Sequence, residues 1–229
     1  MKLGKRLPLW CLLLCLAPPA LAATVYIDFV AGNDNNSGDS PTAAWKTIPG
    51  TRTLDGLAWM TTDYGRGKVN KNSTIKPGTV LALKRGTTHT AANGGFVWIN
   101  DYFYASGATS KNPISIAAAD AWGAGPVIFD GSLIPATVSL IVIQQDGIRI
   151  DGRTADGICV NNSPVGGLMI KEKAGAGASV DQCALVLMKF FNNGWSFLTD
   201  LAGAGSGQVN VRKANGLRIE KLTLDGDSN

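Results

Sequence analysis

Short runs of alternating apolar and polar residues, each entered through a glycine turn, dominate the second half of the chain. They read DGIRI at 146–150, GGLMI at 166–170, NGWSF at 193–197 and NGLRI at 215–219. Their second residues are Gly147, Gly167, Gly194 and Gly216, so the units recur at steps of 20, 27 and 22 residues. A unit that short cannot bury its own apolar face, but stacked units share one. Upstream, TVYIDFV at 24–30, KPGTVLALKR at 76–85, PISIAAA at 113–119, PVIFDGSLI at 126–134 and VSLIVIQQ at 138–145 read as strands from their alternation and β-branched content. Helical periodicity is nearly absent. No hairpin turns of matched length join neighbouring strands, so the corners imply parallel stacking rather than a sandwich. The expectation is an all-β solenoid, a parallel β-helix with one repeat unit close to one rung. The Gly-Ala-rich stretches at 172–182 and 202–209 read as loops bulging from its corners.

The ends change the accounting of charge and cysteine. Lys2, Lys5 and Arg6 precede an apolar run from Leu7 to Leu16, broken by Pro18 and Pro19 and followed by Ala20-Leu21-Ala22. This is the layout of a cleavable export signal, with cleavage expected after Ala22. No membrane span is expected beyond it. The expected organisation is a signal at 1–22, an N-terminal strand and cap region at 23–75 and β-helix rungs at 76–229. Removing the signal lowers the net charge from +4 to +1. With no basic block left, nucleic acid is not an expected partner. Cys159 and Cys183 then remain as a single pair in an exported chain. They are 24 residues apart, about one repeat, so they form either a disulfide between adjacent rungs or two buried thiols in a core stack. The chain stops at LRIEKLTLDGDSN with no polar capping element, which reads as the N-terminal part of a longer solenoid, truncated at its C-terminal end.

The run YIDFVAGNDNNSGDSPTAAWKTI at 26–48 resembles the opening of secreted right-handed parallel β-helix proteins of the pectate-lyase-like superfamily. Its matching positions are Gly32, Asp34, Ser37, Gly38, Pro41 and the Trp45-Lys46-Thr47-Ile48 segment. KPGTVLALKRGTTHT at 76–90 is similar to the next element of such proteins, with Thr79 where Asp is usual and His89 where an aromatic is usual. NPISIAAADAWGAGPVIFDGS at 112–132 is similar to the third. The resemblance implies a right-handed coil and a carbohydrate-active protein. The implied enzyme is a polysaccharide lyase on pectate-like or alginate-like polymers, and the alternative is a non-catalytic cell-surface or polysaccharide-binding module. These motifs mark cap and rungs, and they assign no reaction.

A lyase on uronic-acid polymers needs a cation or arginine on the carboxylate, a base for the C5 proton and a groove for several sugars. Asp225 and Asp227 alternate at the terminus and are candidates for a calcium cluster; the competing reading makes each Asp-Gly pair a turn. Asn33, Asp34, Asn35, Ser37 and Asp39 form an oxygen-rich loop with the same two readings. Arg149 and Arg218 hold the same place in their repeats and point outward, either toward an anionic polysaccharide or simply into solvent. Trp98, with Tyr102, Phe103 and Tyr104, either stacks on sugar rings or packs a loop onto the first rungs. His89, the single histidine, reads as structural. No catalytic residue is assigned, and calcium is the one cofactor with any support. The expected protein is a secreted or periplasmic monomer that acts on an anionic polysaccharide.

Overall fold

Alternation along the strands sorts the side chains between a shared interior and three outer faces. In Val80–Arg85, Leu81 and Leu83 are fully buried while Val80 and Lys84 are not. The computed structural model describes residues 23–52, 63–64, 69–70, 75–90, 94–134, 139–162, 166–170, 180–191, 198–199, 209–211, 214–215 and 217–225. The export segment and Asp227 lie outside them.

The first face orders Thr24–Ile27, Val80–Arg85, Ile114–Gly123, Ile148–Asp151, Ala184–Val186 and Arg218–Glu220 side by side. The second orders Thr88–His89, Val127–Asp130, Ile158–Asn161, Met188–Phe191 and Thr223–Asp225. The third orders Val97–Ile99, Ser139–Ile143, Gly166–Ile170, Val209–Val211 and Leu198–Thr199. Every pairing within these three sheets is parallel. Three parallel sheets visited in turn, with one core between them, make a parallel β-helix.

Inward residues stack in columns. One runs Val25, Leu81, Ile116, Ile150, Leu185, Ile219 on the first face. Another runs His89, Phe129, Val160, Phe190 on the second. Each side chain covers the one below it, so burial is shared between rungs as it cannot be within one.

The rung is longer than the repeat suggested. Along the first face Ser115 pairs with Arg149 and Arg149 with Ala184, steps of 34 and 35 residues. The glycine-turn units instead fall on more than one face of the coil. DGIRI opens a strand on the first face, whereas GGLMI lies on the third. The same turn-then-strand signature marks the first and third faces, so it does not say which corner it marks.

The N-terminal strand joins the first sheet directly, and residues 28–48 fold over it as a cap. Trp45 is buried, and its indole N–H donates to the Asn36 carbonyl at 2.9 Å. Asp34 accepts from the Lys46 and Thr47 N–H groups and from the Thr47 hydroxyl at 2.8–2.9 Å. The oxygen-rich loop is thus a self-bonded turn, as one of its two readings held.

Candidate functional site

Outward residues of the first face also form columns. One runs Thr24, Val80, Ser115, Arg149, Ala184, Arg218; the next runs Tyr26, Ala82, Ala117, Asp151, Val186, Glu220. Over the first rungs these side chains are small. They form a low floor of Val80, Ala82, Ala117 and Ala119. The Ile114–Gly123 strand runs past its neighbours, with a register shift between Leu83 and Arg85. This extension carries Trp122 back over the face, where it meets Tyr26 edge-on at 5.5 Å and 78°. The Lys84 ammonium lies 5.6 Å from the Trp122 ring centroid, which holds the indole in place from its other side. The result is a trough of about 350 Å³, lined by the floor, by Tyr26 and Trp122, and by Thr24, Asp120 and Arg153.

Charges around the trough are mostly neutralised in place. Lys84 Nζ lies 2.7 Å from Asp28 Oδ2. Desolvation works against the Asp28 carboxylate, but Lys84 and the N–H groups of Ala31 and Val30 hold its pKa below the usual range. Arg149 donates through Nε and Nη2 to Asp151 Oδ2 at 3.0 and 2.7 Å. Arg218 clasps Glu220 in the same fashion, two rungs further on. Asp120 and Arg153 differ: both are exposed, both line the trough, and neither side chain has a hydrogen-bond or ion-pair partner among the described residues.

Arg153 is placed by Asp151. Its backbone sits in the left-handed region at φ 64°, and its N–H donates to Asp151 Oδ1 at 2.8 Å. The Asp151-Gly152 corner, read from sequence as turn chemistry, is therefore more than a turn. One buried carboxylate fixes the backbone of Arg153 and the guanidinium of Arg149.

A second groove, of about 400 Å³, lies at the corner between the first and second faces and includes Arg85, Thr154, Asp156, Cys159 and Lys189. Its polar groups serve the corner itself. Arg85 donates to the carbonyls of Ala119 at 2.6 Å and Gly152 at 3.1 Å and to the Thr154 hydroxyl at 3.2 Å, so it laces three rungs together. Asp156 accepts from the Thr223 hydroxyl. No aromatic side chain lines this groove, and the trough is the better candidate for sugar.

Trp98 does not join the arginines. It points outward on the third face, donates to Gln144 Oε1 and lies 5.0 Å beneath the Arg52 guanidinium, so it packs a loop onto the coil. Cys159 and Cys183 are free thiols, and this corrects the disulfide reading. Cys159 stands in the outward column of the second face between Ile128 and Lys189. Cys183 is buried just before the first-face strand Ala184–Val186, its thiol on the Gln145 carbonyl. The rung step is too long for 24 residues to bring them into one column. Burial, with Asp156 nearby, raises the Cys159 pKa against the pull of Lys189, so it is a poor thiolate. Asp225 pairs in register with Phe191, and the column continues to Asn161 and Asp130. Its neighbour on the adjacent rung is thus a phenylalanine. Among the described residues no three His, Cys, Asp or Glu side chains come together as cation ligands.

His89 is fully buried between Phe29 and Phe129, at ring distances of 5.1 and 5.5 Å. It occupies the place where the resemblance expects an aromatic, and it fills that role. Nε2 donates to the Gly95 carbonyl at 2.9 Å, which leaves Nδ1 buried with no partner.

The trough residues had a weak signature in the sequence. Tyr26, Trp122 and Arg153 are far apart along the chain and meet only because the rungs stack. The one available signal was an aromatic beside small alternating residues in AAADAWG.

No family model matches the chain, and no curated protein matches it. Among solved structures, the GH136 lacto-N-biosidase from Eubacterium ramulus, crystallised as its selenomethionine derivative, is similar over 90% of this chain, with a TM-score of 0.54 and 12% identity. The chain spans about a third of that protein's length, 34%. At this identity the likeness concerns the fold, and it agrees with the parallel β-helix that the sheets define.

Proposed function

We propose that this chain is an exported, carbohydrate-active β-helix that holds a polysaccharide across its first face. The observation that carries this is the trough. A half-buried aromatic edge of Tyr26 and Trp122 stands over a floor of small side chains, with a carboxylate and a guanidinium that have no partner among the described residues. Flat apolar rings suit the faces of sugars, and free charged side chains suit their hydroxyl and acidic groups. The similar GH136 structure is a glycoside hydrolase by name, which supports a carbohydrate role without assigning a substrate. For a reaction, we propose β-elimination on a uronic-acid-containing polymer, with Arg153 as the group that meets the sugar carboxylate.

A non-catalytic binding role is the second reading. The pairing of Lys84, Arg149 and Arg218 with their own carboxylates favours it, because it removes three candidate bases from service. The deciding experiment uses residues 23–229 with pectate, alginate and neutral glucans, with and without added calcium. Binding is followed by affinity electrophoresis, and cleavage by the ultraviolet absorbance of unsaturated uronate products. Binding that Trp122→Ala removes supports the site, and new absorbance selects the lyase. Binding that Trp122→Ala leaves intact would move the site elsewhere. The export proposal is checked by N-terminal sequencing of secreted protein, which is expected to begin at Ala23.

A further inference from the structure

We infer that the trough is built for a polymer in which an acidic sugar is flanked by neutral ones, rather than for a uniform polyuronate. This rests on the proposed carbohydrate role of the same site and narrows its ligand class. A polyuronate presents a carboxylate on every ring, so a surface selecting it needs a cation at each ring position. Among the described residues the first face does not offer them. Arg149 directs its Nε and Nη2 donors to Asp151, which neutralises its charge, and Arg218 is closed onto Glu220. Lys84 is paired with Asp28. Arg85 turns its donors into the corner.

Among the described residues one guanidinium in the trough has no partner, that of Arg153, and its backbone is fixed through Asp151. A single guanidinium carried on a fixed backbone recognises a single carboxylate, with bidentate geometry available to it. Asp120 lines the same trough, also without a partner among the described residues. It accepts hydroxyls from a neutral ring and repels a second carboxylate. The floor and the Tyr26–Trp122 edge are indifferent to charge. The trough therefore has one place for an acid, a place that disfavours one and an apolar bed for the rings between.

The test is titration calorimetry of residues 23–229 with four probes: oligogalacturonate, hyaluronan oligosaccharide (alternating acidic and neutral sugars), its carboxyl-reduced form and cellohexaose. The hyaluronan oligosaccharide is expected to bind roughly 10-fold more tightly than its reduced form, the size of one charge-assisted contact. Arg153→Gln is expected to remove that difference, so that the hyaluronan oligosaccharide and its carboxyl-reduced form bind alike. Asp120→Asn is expected to raise affinity for oligogalacturonate. Tightest binding to oligogalacturonate, or an acid preference that survives Arg153→Gln, overturns the ligand class. If Trp122→Ala still weakens every probe, the carbohydrate site itself stands. Binding of none of the four overturns both readings. Melting curves for each variant establish that the coil is intact.

Discussion

Arg149 and Arg218 stand in one outward column of the first face, with Ala184 on the rung between them. Each closes on a carboxylate two residues ahead on its own strand, Asp151 and Glu220. Two strand spacings separate them, about 9.5 Å. The two pairs differ in burial. The Asp151 side chain is 4% exposed, whereas the Glu220 side chain is 37% exposed. An exposed pair is worth little, while a buried carboxylate that also holds a backbone N–H is worth more.

Asp151→Ala is therefore expected to destabilise the coil by about 3 kcal/mol, since it strands Arg149 and the Arg153 N–H together. Glu220→Ala is expected to cost under about 1 kcal/mol. Urea midpoints compare the two. Equal losses would mean that Asp151 is as peripheral as Glu220. The Arg149→Ala, Asp151→Ala double variant is expected to recover part of the loss.

Gly152 carries a different constraint. A Cβ added there would lie 1.9 Å from the Leu187 carbonyl oxygen, on the neighbouring rung. That obstacle is backbone in a stacked coil and cannot rotate away. Gly152→Ala is expected to cost about 3 kcal/mol or more, the upper range for overpacking. Gly107 is the control. It has φ 89° but open space around its Cβ, so Gly107→Ala is expected to cost only the left-handed penalty of about 1 kcal/mol. A Gly152→Ala midpoint no lower than that of Gly107→Ala would show that the corner relaxes.

The fold was legible in the sequence because its cause is local. Alternation in TVYI, VLALKR, IRID and ICVN makes strands, and glycine turns without hairpin lengths make corners. What could not be read was which strands stack, because the same turn chemistry serves more than one corner. From that one ambiguity followed the short rung, and from the short rung a disulfide between Cys159 and Cys183 as one of two readings. The trough was hidden for a related reason. Tyr26 stands over Ala82 and Ala117 only once rungs of about 35 residues are in register, and Trp122 reaches it through an irregularity in one strand. The role of Asp151 was hidden because Asp-Gly is a turn signal wherever it occurs.

The thiols give a direct check on the rung length. Both are free and lie on different parts of the coil. Residues 23–229, purified without reductant and then unfolded in guanidinium, are expected to show two reactive thiols per chain. Reductant is expected to leave the melting temperature unchanged. One fewer pair of thiols, with a melting temperature lowered by reductant, would restore the disulfide and the shorter rung with it.

His89 makes stability depend on pH in a window where few other groups titrate. Burial pushes its pKa down to about 4, opposed by the hydrogen bond to the Gly95 carbonyl. In the unfolded chain it titrates near 6.5. Between those values the unfolded chain holds a proton that the folded chain refuses, because a protonated Nδ1 would be a buried donor with no acceptor. Stability is then constant above about pH 6.5 and falls as the pH drops toward 4, by about 3 kcal/mol in total at about 1.4 kcal/mol per pH unit. Asp28 adds to acid sensitivity only at lower pH, since its folded pKa lies below the usual carboxylate value. His89→Phe keeps an aromatic ring between Phe29 and Phe129 and removes the titration. It is expected to lose about 1 kcal/mol at pH 7 through the orphaned Gly95 carbonyl. Between pH 6.5 and 4 its urea midpoint is expected to fall less than that of the unaltered protein, so the two curves converge and then cross. Parallel curves across that window would mean that the imidazole gains its proton without opening the first rung.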